Sequence, residues 1–255
     1  MPLRTEQRDG VLKVIIDRPE FDNRVDREIC LGIAAAFAEA DRDSAVRVVV
    51  LTATGSKFCI GGQVDGAADG AAAKQIAFAE AFAGVHKAAV ALSKPLIAAI
   101  NGDAVAGGFS MMASADLAIS VDSARFGLPE LSAGLFPMLA LATSVPILPR
   151  KVLFDLIYNA RLLTADEALH YGLISSSVPA GKFEDAVASQ TRAIARQSPV
   201  AIALGRRAYH AMLDMPRAAA ISHGGLALVE LLATQDGRAA VKAHAEGREP
   251  VWSGS

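Results

Sequence analysis

Two glycine-rich segments, each following a short apolar run, are the first candidates for chemistry. One is Phe58-Cys59-Ile60-Gly61-Gly62; the other is Asn101-Gly102-Asp103-Ala104-Val105-Ala106-Gly107-Gly108. Glycine carries no Cβ, so the backbone there can approach a ligand closely and adopt positive φ. The second segment also runs into a helix start, where unpaired N–H groups and the helix dipole favour developing negative charge. Two backbone N–H groups from separate loops are what an oxyanion hole requires; plain turn-making is the competing reading of each loop. No Gly-x-Gly-x-x-Gly follows a strand and no P-loop Gly-Lys-Ser/Thr occurs, so a nucleotide-phosphate cradle is not expected. His86, His170, His210, His223 and His244 show no metal-ligand spacing, and no metal site is expected. Ser110 lacks the Gly-x-Ser-x-Gly surroundings of a nucleophile elbow, and no histidine stands out as its partner. Phe78 and Phe82, four residues apart, read as core contacts, as do Met111 and Met112. Cys59 reads as a packing residue.

Strands alternating with helices must position these loops. Val11–Ile16 reads as a strand ended by the turn residues Arg18-Pro19-Glu20. Asp26 is placed to cap a helix whose apolar positions Ile29, Ile33, Ala36 and Phe37 recur at helical spacing. The run Val46–Leu51, apolar apart from Arg47, marks a strand buried on both faces, as in parallel sheets. An alanine-rich helix spans roughly 71–92, a strand covers 95–100, and Asp116 opens another strand over 117–120. This alternation predicts an α/β fold with a parallel-sheet core. Beyond about residue 135 the pattern reads as almost wholly helical, with a Thr164/Glu167 capping box, a helix start at Ser198-Pro199 and a break at Asp214-Met215-Pro216. The weakly polar stretch 131–148 contains Gly134, Pro137 and Pro146 and reads as buried structure rather than a membrane span.

Composition narrows the function classes. The 255 residues include 25 basic and 27 acidic side chains for a net charge of −2, so no global positive field recruits nucleic acid or an anionic membrane. Two cysteines, Cys30 and Cys59, make no disulfide framework and fit a reducing compartment. The first residues lack a signal-peptide pattern and Ser253-Gly254-Ser255 is no peroxisomal address, so a cytoplasmic protein is expected.

Several ordered motifs then meet. Arg18-Pro19 followed by Asn23, Phe58–Gly62, Lys94-Pro95-Leu96-Ile97-Ala98-Ala99-Ile100-Asn101-Gly102, Ala106-Gly107-Gly108 with Asp116, and Phe126-Gly127-Leu128-Pro129-Glu130 run through the first half. Thr164-Ala165-Asp166-Glu167-Ala168, Gly172-Leu173-Ile174, Asp236 and Arg248-Glu249-Pro250-Val251-Trp252 continue to the C-terminus. The ordered set resembles the enoyl-CoA hydratase/isomerase, or crotonase, superfamily nearly end to end. The resemblance implies a crotonase-like ββα spiral core (1–195) followed by a helical C-terminal trimerisation region (196–255), assembled as a homotrimer or a hexamer of two trimers. It implies an acyl-CoA thioester whose carbonyl oxygen is held by two backbone N–H groups, those of Gly62 and Gly107 by position, while an enolate forms. Coenzyme A is then part of the substrate, and no resident cofactor is expected. Glu130 aligns with a catalytic glutamate of the family.

The departures bear on which reaction runs. Family hydratases hold water with two glutamates, one of them three residues after the second oxyanion glycine; that position is Ser110. A serine hydroxyl can hold water, but it is no general base near neutral pH without a partner. One glutamate, Glu130, suits a one-base shift of a double bond from the 3- to the 2-position, and the reading leans that way. Hydration of a 2-enoyl-CoA stands beside it, as do a non-catalytic acyl-CoA-binding protein and a thioester hydrolase. Gln63 replaces a common Asp, and Phe136-Pro137-Met138-Leu139-Ala140 replaces a glycine-rich stretch, so Gln63, Pro137, Ser110 and Asp103 are pocket candidates. Segments near 64–80 and 131–145 would shape the acyl pocket. A lysine that often meets CoA phosphates is Gly247 here, leaving Arg24, Arg248 and the backbone near Ile60 as CoA-binding candidates.

Overall fold

Apolar runs rich in valine and isoleucine build a six-stranded sheet in the computed structural model, which describes residues 2–63 and 71–255. Strands β1 (Leu3–Arg8) and β2 (Val11–Ile16) form a hairpin across Asp9-Gly10, both at positive φ, the conformation that Asp-Gly favours in tight hairpin turns. Helix α1 (Arg27–Arg42) follows, its N-terminus capped by the Asp26 carboxylate accepting from Ile29 N–H at 2.9 Å. Next come β3 (Val48–Ala53), β4 (Lys57–Cys59) and α2 (Ala71–Ala91). Then β5 (Leu96–Ile100), β6 (Asp103–Val105), α3 (Gly107–Ala113), β7 (Leu117–Val121) and β8 (Phe126–Gly127) complete the α/β part. The main sheet runs β1-β2-β3-β5-β7 and ends on β10 (Ser176–Val178); it is parallel apart from the β1-β2 hairpin. A second sheet, β4-β6-β8-β9, includes β9 (Leu162–Leu163).

The remaining helices are α4 (Met138–Ser144), α5 (Arg150–Tyr158), α6 (Ala165–His170), α7 (Phe183–Ala195), α8 (Pro199–Leu213), α9 (Arg217–Ala233) and α10 (Gln235–Ala245). The Thr164/Glu167 capping box forms as expected. Phe37, Phe58, Phe109 and Phe126 are among the largest fully buried side chains of the single core, and Met111, Met112 and Cys59 join them. Burial pushes the Cys59 thiol up to about 12, which makes it an inert packing residue. Among the described residues, no helix is long and apolar enough to cross a membrane.

Three expectations need correction. Val11–Ile16, read as the first strand, is the second: β1 precedes it and shows no apolar pattern because five of its six residues are exposed on a sheet edge. The region beyond residue 135 is not almost wholly helical: β9 and β10 each pair into a sheet, but they are too short to show periodicity. The stretch 131–148 is not simply buried, since Leu135, Met138 and Val145 are 58%, 69% and 62% exposed. It forms one wall of a cavity instead.

Several motif residues are structural pins. Asn23, buried and at φ 54°, donates to the Thr54 and Lys57 carbonyls at 2.7 Å and accepts from Arg18 N–H. That locks the loop before α1 onto the start of β4. Asp116 accepts from Leu96 N–H and holds the Arg206 guanidinium at 2.9 Å, tying α8 to the sheet.

Candidate active site

The two glycine loops meet. β4 ends at Cys59 and β6 ends at Val105, neighbouring parallel strands whose C-terminal ends deliver both loops to one place. Gly61, at φ 120°, lies against the start of α3: a Cβ on it would stand 3.1 Å from Ala106 Cβ and 3.7 Å from Gly107 N. The bridge between residues 25 and 62 uses Val25 N–H to Gly61 O and Gln63 N–H to Val25 O, so it does not use the Gly62 N–H lying between them. Gly107 opens α3, where the first N–H groups have no partner within the helix. Ala106 before it holds φ 53° and ψ −117°, a strained conformation for a residue with a Cβ. Such strain persists only where the surroundings over-determine it; here it sets the turn from which the first α3 N–H groups emerge.

Both loops line a cavity of about 1200 Å³. Ile60, Gln63, Ser110, Glu130 and Pro137 line it too, and Arg24 stands at its edge. Glu130 sits in a 3-10 turn, Pro129–Ala133, just beyond β8. Burial raises its carboxyl above the usual glutamate range, and one carboxyl oxygen, Oε2, is buried with no hydrogen-bond partner among the described residues. A carboxyl with those properties keeps its proton more readily than an ordinary glutamate, which suits acid/base work on a substrate.

Asp103 stands elsewhere. It pairs with Lys57 Nζ at 2.5 Å and accepts from Arg125 N–H at 2.9 Å, fastening β6 to its neighbours outside the cavity lining. Arg248 is also outside, bonded to Glu246 at 2.6 Å near the C-terminus. Of the segment near 64–80, residues 64–70 lie outside the described residues. Phe78 and Phe82 are not merely core: they line the cavity and stack on each other above the two glycines.

Three contributors escaped sequence reasoning. Arg27 and Lys74 join Arg24 in the cavity lining, beside the carboxylates of Asp26 and Glu28. His86 is the third. Its Nε2 lies 2.8 Å from Ser110 Oγ and its Nδ1 lies 2.8 Å from Ser114 Oγ. Burial lowers the imidazole to about 4, so it is neutral near neutral pH. No local motif marks it: His86 is on α2, 24 residues from Ser110, and only the packing of α2 on α3 joins them. Among the described residues, no group of three or more His, Cys, Asp or Glu is placed to hold a metal ion.

The family model described as enoyl-CoA hydratase/isomerase matches residues 6–255. A carnitinyl-CoA dehydratase from Salmonella enteritidis is 30% identical over 254 residues, covering 96% of this chain and 95% of that protein. The solved structure of an enoyl-CoA hydratase from Mycobacterium smegmatis superimposes with a TM-score of 0.94 at 25% identity, covering 99% of each chain. Human enoyl coenzyme A hydratase domain-containing protein 3 superimposes at 0.95 with 24% identity, covering 99% of this chain and 100% of that one, a likeness of fold.

Proposed function

Because the chain belongs to the enoyl-CoA hydratase/isomerase family, we propose that it catalyses reversible addition of water to a 2-enoyl-CoA thioester, with Glu130 as its one carboxylate acid/base. The observation that carries this is the Glu130 carboxyl, raised by burial and with its Oε2 unpartnered among the described residues, in the same cavity as Gly62 and Gly107. The N–H groups of these glycines would hold the thioester oxygen as it becomes an enolate oxygen; one such donor is worth about 3 kcal/mol of transition-state stabilisation. The polarised carbonyl makes C3 electrophilic and C2 basic. Glu130 then receives the proton of the incoming water and returns it to C2. The dehydratase name of the relatives at 30% identity favours chemistry in which water is added or removed.

Double-bond isomerisation is the second reading, favoured by the hydroxyl of Ser110 at a position where family hydratases carry a carboxylate. Nothing in the relatives adds to it. Coenzyme A enters as part of the substrate, its phosphates toward Arg24, Arg27 and Lys74, and no resident cofactor is invoked. Residues 196–255 are proposed to assemble the chain into a homotrimer or a hexamer of two trimers. Two free buried cysteines suit the cytoplasm.

Mass spectrometry in heavy water, with a panel of 2-enoyl-, 3-enoyl- and 3-hydroxyacyl-CoA thioesters, tests the assignment. Water adducts from wild type, lost in Glu130→Gln, are expected. Conversion of 3-enoyl to 2-enoyl product without an adduct would install the isomerase reading. Binding without turnover would leave an acyl-CoA-binding protein.

A further inference from the structure

We propose that Ser114, His86 and Ser110 form a one-way hydrogen-bond chain that fixes the Ser110 hydroxyl as an acceptor for the O–H group that adds to, or leaves, the acyl chain. The proposal rests on the reading just given and assigns His86 a positioning role in it. The direction of the chain follows from its far end. Ser114 Oγ lies 3.1 Å from the Ser110 carbonyl oxygen, which can only accept, so the Ser114 proton points there. His86 Nδ1, 2.8 Å from the same Oγ, is then the donor. A neutral imidazole carries one N–H, so Nε2 is bare and accepts from Ser110 Oγ at 2.8 Å. The Ser110 hydroxyl has spent its proton, and only lone pairs remain for the cavity.

The surroundings keep His86 in that state. Phe82 packs edge-on at 4.8 Å between ring centroids. On its other side lies a second cavity, lined by His86, Asp116, Arg206 and His210 among others. Asp116 is engaged with Arg206 and Leu96 N–H, so its charge is already partnered. With its imidazole lowered to about 4, His86 is too weak a base to take a proton from Ser110. It orients; it does not ionise the serine.

An acceptor-only hydroxyl selects its partner. The thioester oxygen cannot bind it, because two acceptors face each other. Water, or the hydroxyl of a 3-hydroxyacyl group, can. Ser110 and Glu130 line one cavity, so a water held by both would have one O–H toward each. On addition, the water oxygen bonds to C3, its Glu130-facing proton moves to the carboxylate, and the same proton passes to C2 as the enolate collapses. One water is consumed and Ser110 keeps its own proton. Removal of a C2 proton, by contrast, uses Glu130 and the oxyanion site and involves no water O–H.

The experiment compares two rates in each protein: water addition to 2-enoyl-CoA, and deuterium exchange at C2 of a saturated acyl-CoA. For Ser110→Ala and His86→Phe, water addition is expected to fall at least about tenfold more than exchange, the effect of one lost hydrogen bond of about 1.4 kcal/mol. Ser110→Thr and His86→Gln, which keep a hydroxyl and an acceptor, should recover most of the addition rate. Equal loss of both rates, or no loss of either, would overturn the chain's role. So would an acyl group found covalently on Ser110 with release of free thiol. If Glu130→Gln spares both rates, the fault lies with the proposed function itself and not with the chain.

Discussion

Phe78 and Phe82 stack with ring centroids 5.8 Å apart and planes 7° from parallel, and each ring covers one of the two loop glycines. A methyl group on Gly62 would run into the Phe78 ring; one on Gly107 would stand 3.1 Å from Phe82 Cζ and 3.3 Å from Gly61 Cα. The aromatic pair on α2 therefore sets how close a thioester can come to the backbone N–H groups.

This geometry predicts that Gly62→Ala lowers kcat/KM by about 10²-fold, the scale of an ångström-sized misplacement of reacting groups. Adding Phe78→Ala to Gly62→Ala should restore part of the loss, because the clash disappears while the N–H remains. A double-mutant cycle on purified enzyme measures this coupling. Strict additivity of the two losses would show that the ring and the glycine act separately.

Glu130→Gln should cost about 10²- to 10⁴-fold in kcat/KM, the contribution of a positioned acid/base. Its effect on stability has the opposite sign. Burial raises the folded-state carboxyl above its ordinary 4.5, so the folded protein retains a proton that the unfolded chain has released. Stability therefore falls as pH rises from about the ordinary value through the raised one, and stays lower above it. Glutamine carries no charge to desolvate. The variant should unfold at an equal or higher temperature than wild type near neutral pH and lose that advantage in acid. Calorimetry at both pH values decides, and a lower Tm for the variant near neutral pH would mean that the ionised carboxylate has a stabilising partner.

Most of the scaffold was legible because its information is local. Val48–Leu51 announces a buried parallel strand by having no polar residue, and Asp26 announces α1 by its capping chemistry. The glycine loops were legible for the same reason: each is a consecutive string at the end of a strand. His86 was not, since its meaning depends on two serines, one in α3 and one at its C-cap, that arrive through tertiary packing. Asp103 misled because adjacency to Gly107 in sequence says nothing of which face of β6 it occupies, and it faces Lys57. β1 hid because an exposed edge strand needs no apolar residues.

His86 should also govern behaviour in acid. Its imidazole is held at about 4, below the ordinary 6.5, by burial. The unfolded chain therefore binds a proton before the folded one does, and the stability present above about pH 6.5 is lost as pH falls toward 4. Urea midpoints measured across that range should drop for wild type more steeply than for His86→Gln, whose amide does not titrate. Parallel slopes for the two proteins would assign the acid sensitivity to other groups.

Helix α9 is the element least explained by one chain. None of its 17 residues is buried, yet Ile221, Leu226, Leu228, Val229 and Leu232 are 45–71% exposed. Its neighbours α8 and α10 touch it without covering these side chains. Soluble monomers rarely leave so much contiguous apolar surface to water, and covering each such side chain is worth up to about 1.5–3 kcal/mol. A helix apolar around so much of its circumference fits burial between copies of the chain. Leu226→Lys combined with Val229→Glu places two charges on this surface and is expected to convert an oligomer of wild type into monomers, read by light scattering coupled to size exclusion. The change should leave far-ultraviolet circular dichroism intact, because neither side chain packs into its own core. If wild type is already monomeric, or if the doubly charged variant keeps the wild-type mass, α9 is not the surface through which the chain assembles.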